Sequence, residues 1–314
     1  MSHGVLAAPA ALRTLVAGIV DYAGLFPPAS LEMSQAVANF AMYRGSVDAW
    51  MLGRFVVPVA RLGAWRAAVA ASDTTVRAAW QDARLSALLS GEYAHETNEI
   101  ADFNAEIPFG VRIDVAEART SSSDSILAVA AALSDDVTLY CELPHRNDPA
   151  VLLQSVRSAH ARAKLRTGGV TPDTFPAPSE IVRFLRRCIE AGVTAKATAG
   201  LHHPLRGTYR LTYEPTAVRG AMYGYLNVFL CAAALRDGAS DDVATALLLL
   251  DDASAITFDG GSIRVALQPT VESRTDVELR ETTLAAMRAE GVVAFGSCSF
   301  REPVDELEEL FVRG

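Results

Sequence analysis

Eight short runs of β-forming residues recur along the chain with helical spacing between them, and this alternation limits the fold more than any other feature. The runs are Leu15–Val20, Met51–Val57, Leu85–Leu89, Phe109–Ile113, Thr138–Glu142, Ala163–Arg166, Thr194–Thr198 and Val292–Phe295. Strands alternating with helices build βα units around a parallel sheet. Eight such units close into a (β/α)8 barrel of the TIM type. The sequence therefore predicts an α/β fold with a single barrel domain spanning residues 1–314. At 50% hydrophobic and 21% charged residues, a chain of this length can bury one large core.

Helix ends punctuate the units. Ser34 is placed to cap a helix burying Val37, Phe40 and Ala41, and Asn147 or Asp148 precedes Pro149 at a first-turn position. Ser179 opens a helix whose apolar face is Ile181, Val182, Leu185 and Ile189, with Gly192 just past its end. After Thr275, Leu284 and Met287 form a face leading to Gly291. The stretch 200–267 departs from the repeat and reads as an insertion. It holds a loop from His202 to Pro215, a buried helix around Leu226–Leu235, another around Val243–Leu250, and a hairpin of Ile256–Phe258 with Ile263–Leu267.

A net charge of −9 leaves no electrostatic footprint for nucleic acid or an anionic membrane surface. Cys141, Cys188, Cys231 and Cys298 are scattered without a CxxC pair, which argues against a zinc ribbon or a disulfide framework and for reduced thiols. Arg13 and Asp21 interrupt the Ala-rich start, unlike a signal peptide. The longest apolar run, Leu226 to Leu235, is too short to span a bilayer. These features predict a soluble, cytoplasmic protein that meets a small anionic metabolite, with no cofactor, no resident metal, no nucleic acid and no membrane partner. Homo-oligomerisation is left open.

Lysine occurs only as Lys164 and Lys196, among 28 basic residues. Both sit in short apolar runs. Arginine serves as well as lysine for surface charge, but only lysine can shed its proton and act as an amine nucleophile. Alternate residues of a strand face opposite sides. Arg112 shares a face with Asp114, Tyr140 with Glu142, Lys164 with Arg166, and Lys196 with Thr198. If the aliphatic faces meet the helices, Arg112, Asp114, Glu142, Lys164, Arg166 and Lys196 converge inside the barrel near the C-terminal strand ends, where barrel enzymes place their sites. The competing structural reading is a charge network filling the barrel, costly unless fully paired.

Other strand ends add candidates. Asp21 follows the first run and Arg54 lies in the second. The last run leads into Gly296-Ser297-Cys298-Ser299, where Ser297 and Ser299 lie in a turn of small residues able to hold an anion. His202 and His203 follow the seventh run; one of them facing the pocket would serve as a general acid or base. The loop after them carries Arg206, Tyr209, Arg210 and Tyr213, as a lid would.

The segment Lys164-Leu165-Arg166-Thr167-Gly168-Gly169, the helix after it, and Glu190-Ala191-Gly192-Val193-Thr194-Ala195-Lys196-Ala197-Thr198-Ala199-Gly200 resemble the deoxyribose-phosphate aldolase pattern. In that family a strand ending in ETG is followed by a helix and EAGADFVKTSTG, whose lysine forms a Schiff base. Lys196, Thr198 and Gly200 match the nucleophile, Thr and Gly of that motif, and Thr167 and Gly168 match the preceding TG. The family carries a further lysine on the next strand that lowers the nucleophile's pKa. No lysine follows Lys196, so Lys164 or Arg166 on the adjoining strand would take that part. Thr194 to Leu201 also partly matches the TRKTTPGLR of quinolinate phosphoribosyltransferases.

The aldolase resemblance implies a class I lyase acting on a small anionic carbonyl compound, with Lys196 as Schiff-base nucleophile. An unperturbed lysine is neutral in only roughly one molecule in a few thousand at pH 7, so burial and a neighbouring cation would have to lower its pKa. Lys164, Glu142, Asp114 and His202 would complete the catalytic set. Arg112, Arg166, Asp21, Arg54, His203, Ser297 and Ser299 would bind the substrate. Three alternatives remain: a phosphoribosyltransferase-like enzyme without a covalent adduct, a metal-dependent hydrolase using His202 or His203 with Glu142, and a non-catalytic metabolite-binding barrel.

Overall fold

Parallel pairing closes eight strands into a ring in the computed structural model, which describes residues 8–270 and 273–313. In chain order the strands are β1 (Val20–Tyr22), β2 (Leu52–Pro58), β3 (Arg84–Leu88), β4 (Arg112–Arg119), β5 (Thr138–Glu142), β6 (Arg162–Arg166), β7 (Ala195–Thr198), β8 (Gly207–Arg210), β9 (Arg219–Met222), β10 (Ile256–Asp259), β11 (Ser262–Thr270), β12 (Ser273–Arg280) and β13 (Val292–Ser297). The barrel order is β1-β13-β7-β6-β5-β4-β3-β2, closed by pairing of β1 with β2. Helices lie between the barrel strands, as the alternation predicts.

The outer faces of the strands are sealed by aromatic and aliphatic side chains. Phe40, Phe55, Trp65 and Trp80 are fully buried, with Trp80 ring centroids 4.7 Å from Phe40, 5.3 Å from Phe55 and 5.2 Å from Trp65. Burying one such side chain contributes roughly 1.5–3 kcal/mol, so this cluster anchors the helices around β2. Helix Pro178–Ala191 buries Ile181, Val182, Leu185 and Cys188 and stops at Gly192, whose φ of 63° is the left-handed geometry a helix end favours.

Between β7 and β13 the chain makes a two-stranded sheet (β8 and β9), helices Tyr225–Arg236 and Asp241–Leu249, and an antiparallel sheet in the order β10-β11-β12. Tyr225 to Leu235 are all buried, because that helix is covered by its neighbours on several sides. The expected hairpin forms with Phe258 opposite Ile263. No helix among the described residues is long and apolar enough to cross a membrane.

Several boundaries differ from the sequence reading. Leu15 and Val16 end helix Ala10–Val16, and the first strand begins only at Val20, which places Asp21 within the strand. Phe109 lies in a tight turn with φ of 55°, so β4 starts three residues later and runs on to Arg119. Ser34 and Ser179 sit inside their helices; the capping positions are Glu32 and Ala177, and the Glu180 carboxylate accepts from the Ala177 amide at 2.7 Å. The segment after Thr275 continues as β12 to Arg280 before helix Glu281–Glu290 begins.

Candidate active site

Register carries the two lysines to one level. Lys164 on β6 pairs with Lys196 on β7, and Glu142 on β5 pairs with Lys164. All three point into the barrel. Lys196 Nζ is 2.6 Å from Asp21 Oδ2 and 2.6 Å from Glu117 Oε1, with the Tyr140 ring centroid 5.4 Å away. Lys164 Nζ is 2.7 Å from Glu117 Oε2 and 2.9 Å from Glu142 Oε2. Glu142 Oε1 meets Arg166 Nε at 3.1 Å and Arg119 Nε at 3.5 Å. Ser86 donates to Glu117 at 2.6 Å. A single chain of alternating charge thus runs Asp21, Lys196, Glu117, Lys164, Glu142 and out to Arg166 and Arg119.

Above this chain a cavity of about 520 Å³ opens at the C-terminal ends of the strands. Glu117, Glu142, Lys164 and Lys196 form part of its lining, with Arg119 and Arg166 beside them and Thr198, His202 and Cys298 on the wall. Asp21, Glu117, Lys164 and Lys196 are buried, whereas Arg119, paired with Glu142, is 78% exposed, so positive charge reaches the mouth.

The electrostatics reverse one expectation. Burial works to lower the pKa of Lys196, but the carboxylates of Asp21 and Glu117 outweigh it and raise it well above the ordinary lysine value. The expected depression of Lys196 fails because its neighbours are two anions in direct contact, not a lone cation. Burial works to raise Glu142, yet the charges of Lys164 and Arg166 bring it down to about 2. Glu117 is likewise held well below the carboxylate range: both lysines overcome its desolvation.

Other predicted site residues are placed elsewhere. Arg112 is exposed at the start of β4, opposite Arg84 at the start of β3, and lies outside the cavity lining. Asp114 makes a bidentate pair with Arg54, at 2.7 and 2.9 Å, also outside that lining. The reason is a register shift: Leu85 pairs with Ile113 but Ser86 with Val115, so Glu117 and not Ala116 follows Asp114 on the inner side. Glu117 and Arg119 were therefore missed, since strict alternation puts them on the face opposite Asp114. Asp21 is inside, buried against Lys196 and accepting from the Arg54 amide at 2.8 Å.

His202 and His203 diverge. Nδ1 of His202 is 3.4 Å from Ser297 Oγ, 3.8 Å from Cys298 Sγ and 3.4 Å from Glu302. Burial works to lower its pKa, but hydrogen bonds with Cys298 and Glu302 push it up to about 10. His203 Nδ1 is 2.8 Å from Glu306. Glu142 is committed to Lys164 and Arg166, so the histidines meet Glu302 and Glu306 in place of the expected Glu142. Ser299 Oγ accepts from the Glu302 amide at 3.1 Å, a helix-start contact in place of an anion clamp. Tyr213, from the predicted lid, donates to Glu302 at 3.1 Å.

Two glycine contacts explain local motifs. A side chain at Gly200, where φ is 72°, would come within 2.9 Å of Gly168 Cα, and Thr167 donates to the Ala199 carbonyl at 2.7 Å. The Thr167-Gly168 and Ala199-Gly200 turns thus interlock at the cavity rim. At Gly53, an added Cβ would press on Asp21 Oδ1 and lie 3.2 Å from the carbonyls of Gly18 and Val20. Gly53→Ala is expected to cost roughly 1–3 kcal/mol by pushing Asp21 off Lys196. Urea unfolding checks this, and an unchanged midpoint would refute it.

No family model matches the chain, and no curated protein does. Among solved structures it is similar to the Bacillus cereus spore cortex-lytic enzyme SleL, at 10% identity and a TM-score of 0.39, covering 94% of this chain and 74% of that one.

Proposed function

We propose that the cavity is the active site of a lyase-type barrel enzyme that takes a small anionic carbonyl compound, with Lys164 as the reacting amine. The observation that carries this reading is the pair of buried lysines sharing Glu117 on the cavity floor, with Arg119 and Arg166 above them. Asp21, Glu117 and Glu142 face Lys164, Lys196, Arg119 and Arg166, which leaves one positive charge in excess. A singly charged carboxylate or phosphate ester balances it, and the two guanidinium groups offer the hydrogen bonds to hold it.

Each lysine is held by two carboxylates, but only Lys164 has a partner, Glu142, that also meets Arg166 and Arg119, where an anion would bind; Lys196, between Asp21 and Glu117, serves as the fixed charge. Lys164 has Glu142 at 2.9 Å as the base within reach. Once a bound anion offsets the charge that lowers Glu142, the proton passes from Lys164 to Glu142 and the free amine attacks the carbonyl carbon; the C–N bond forms as the C–O bond breaks, and the oxygen leaves as water with the proton returned by Glu142 and one from the amine, which leaves a protonated imine. An anion arriving beside Arg166 favours this transfer, because it makes a second negative charge at Glu142 more costly. The buried, free cysteines suit a reducing, cytoplasmic setting.

The pairing of Lys196 favours a second reading, a transferase of the phosphoribosyl type in which every cation stays charged and clamps phosphate. Borohydride reduction with a panel of aldehydes and keto acids, followed by intact mass and peptide mapping, separates the two. The lyase reading expects an adduct on Lys164 that Lys164→Arg abolishes. No adduct with any carbonyl compound, together with a melting shift by phosphoribosyl pyrophosphate, would replace it with the second.

A further inference from the structure

We propose that His203, Glu302 and Glu306 form a binding site for a divalent transition-metal ion of the zinc class, behind the wall of the cavity. Glu302 and Glu306 are four residues apart on helix Arg301–Arg313 and so project from the same face. His203, from the turn after β7, approaches that face, and one ligand atom from each of the three lies within 4.8 Å of the others. Donor atoms around one zinc ion at about 2.1 Å sit roughly 3–4 Å from one another, so modest side-chain rotation completes the set.

Two further observations point to a cation. Among the described residues, the ion pairs of Glu302 and Glu306 are with histidines alone; the neighbouring Arg301 is taken by Asp48 and Asp305. Two carboxylates thus converge with no guanidinium or ammonium partner among the described residues; Glu302 meets only the His202 imidazole and the Tyr213 hydroxyl, and Glu306 the His203 imidazole. The imidazole of His203 is also pre-oriented, buried and stacked on Tyr209 with centroids 3.4 Å apart and planes 12° from parallel. One nitrogen with two carboxylate oxygens suits zinc better than magnesium or calcium, which take all-oxygen shells. The ion would tie the loop carrying His202, on the cavity wall, to the last helix. This site does not depend on the lyase reading.

Titration of the chelator-treated full chain with Zn²⁺ by calorimetry, with melting curves alongside, tests the site. The expected result is one ion per chain and a higher melting temperature at saturation. His203→Ala and Glu306→Gln should each weaken binding by at least about tenfold, the scale seen even for groups outside the ligand shell. Glu306→Gln keeps the shape of a half-exposed side chain, and its melting curve in chelator shows whether the fold persists. His95→Ala, at an exposed histidine beside Glu99, should leave binding intact. Absence of stoichiometric binding, binding that survives both ligand variants, or equal affinity for Mg²⁺ would overturn the assignment.

Discussion

Glu117→Ala is expected to lower folding stability by about 3–5 kcal/mol, the usual cost of removing one partner from a buried ion pair. Glu117 is 3% exposed and, among the described residues, is the carboxylate shared by both lysines, at 2.6 and 2.7 Å. Without it, Lys164 and Lys196 face each other from paired positions on β6 and β7 with nothing between them. Both ammonium groups are nearly buried on the cavity floor, so water entering the cavity replaces the lost carboxylate only in part. Glu117→Gln isolates the charge, since it keeps the volume and the acceptor for Ser86 and removes only the anion. Urea denaturation of both variants checks the assignment: a loss below about 1 kcal/mol in each would mean that solvent screens the network. A double-mutant cycle with Lys196→Met should return a coupling energy of roughly 1–3 kcal/mol.

The network also marks the limit of what the sequence disclosed. Barrel closure was legible because each of the eight runs recurs at βα spacing, and six of those runs overlap a barrel strand by three residues or more. The convergence of Lys164, Lys196, Glu142 and Arg166 followed from strand parity, which survives wherever pairing is regular, as it is from β5 through β7. Parity failed at β4. One extra residue between Ile113 and Val115 reverses the facing, hides Glu117 among alanines, and sends Asp114 to Arg54. A bulge depends on the partner strand and leaves no mark in composition or period. Glu302 and Glu306 were overlooked for a different reason: two acids four apart on a terminal helix read as a solvated face until the turn after β7 brings His203 against them.

Acid should expose the same network in a second way. Against its burial, the charges of Lys164 and Arg166 bring the Glu142 carboxyl down to about 2, below the ordinary glutamate range. A carboxylate whose pKa is depressed by folding stabilises the fold above its unfolded pKa, and that contribution is lost as pH falls through the folded value. For Glu142 the shift corresponds to on the order of 3 kcal/mol, fully present above about pH 5.5 and gone near pH 2. Glu117 is shifted in the same direction, against its burial, by Lys164 and Lys196, so its contribution is also lost as pH falls. Glu142→Gln separates the two. The gap in stability between parent and variant should be largest near pH 6 and shrink steadily below about pH 4.5, because a protonated Glu142 and a glutamine present nearly the same group to Lys164. Chemical denaturation at a series of pH values measures that gap. A gap that stays constant from pH 6 to pH 3 would show that Glu142 contributes by shape and not by charge, and would remove the electrostatic basis for treating it as the base beside Lys164.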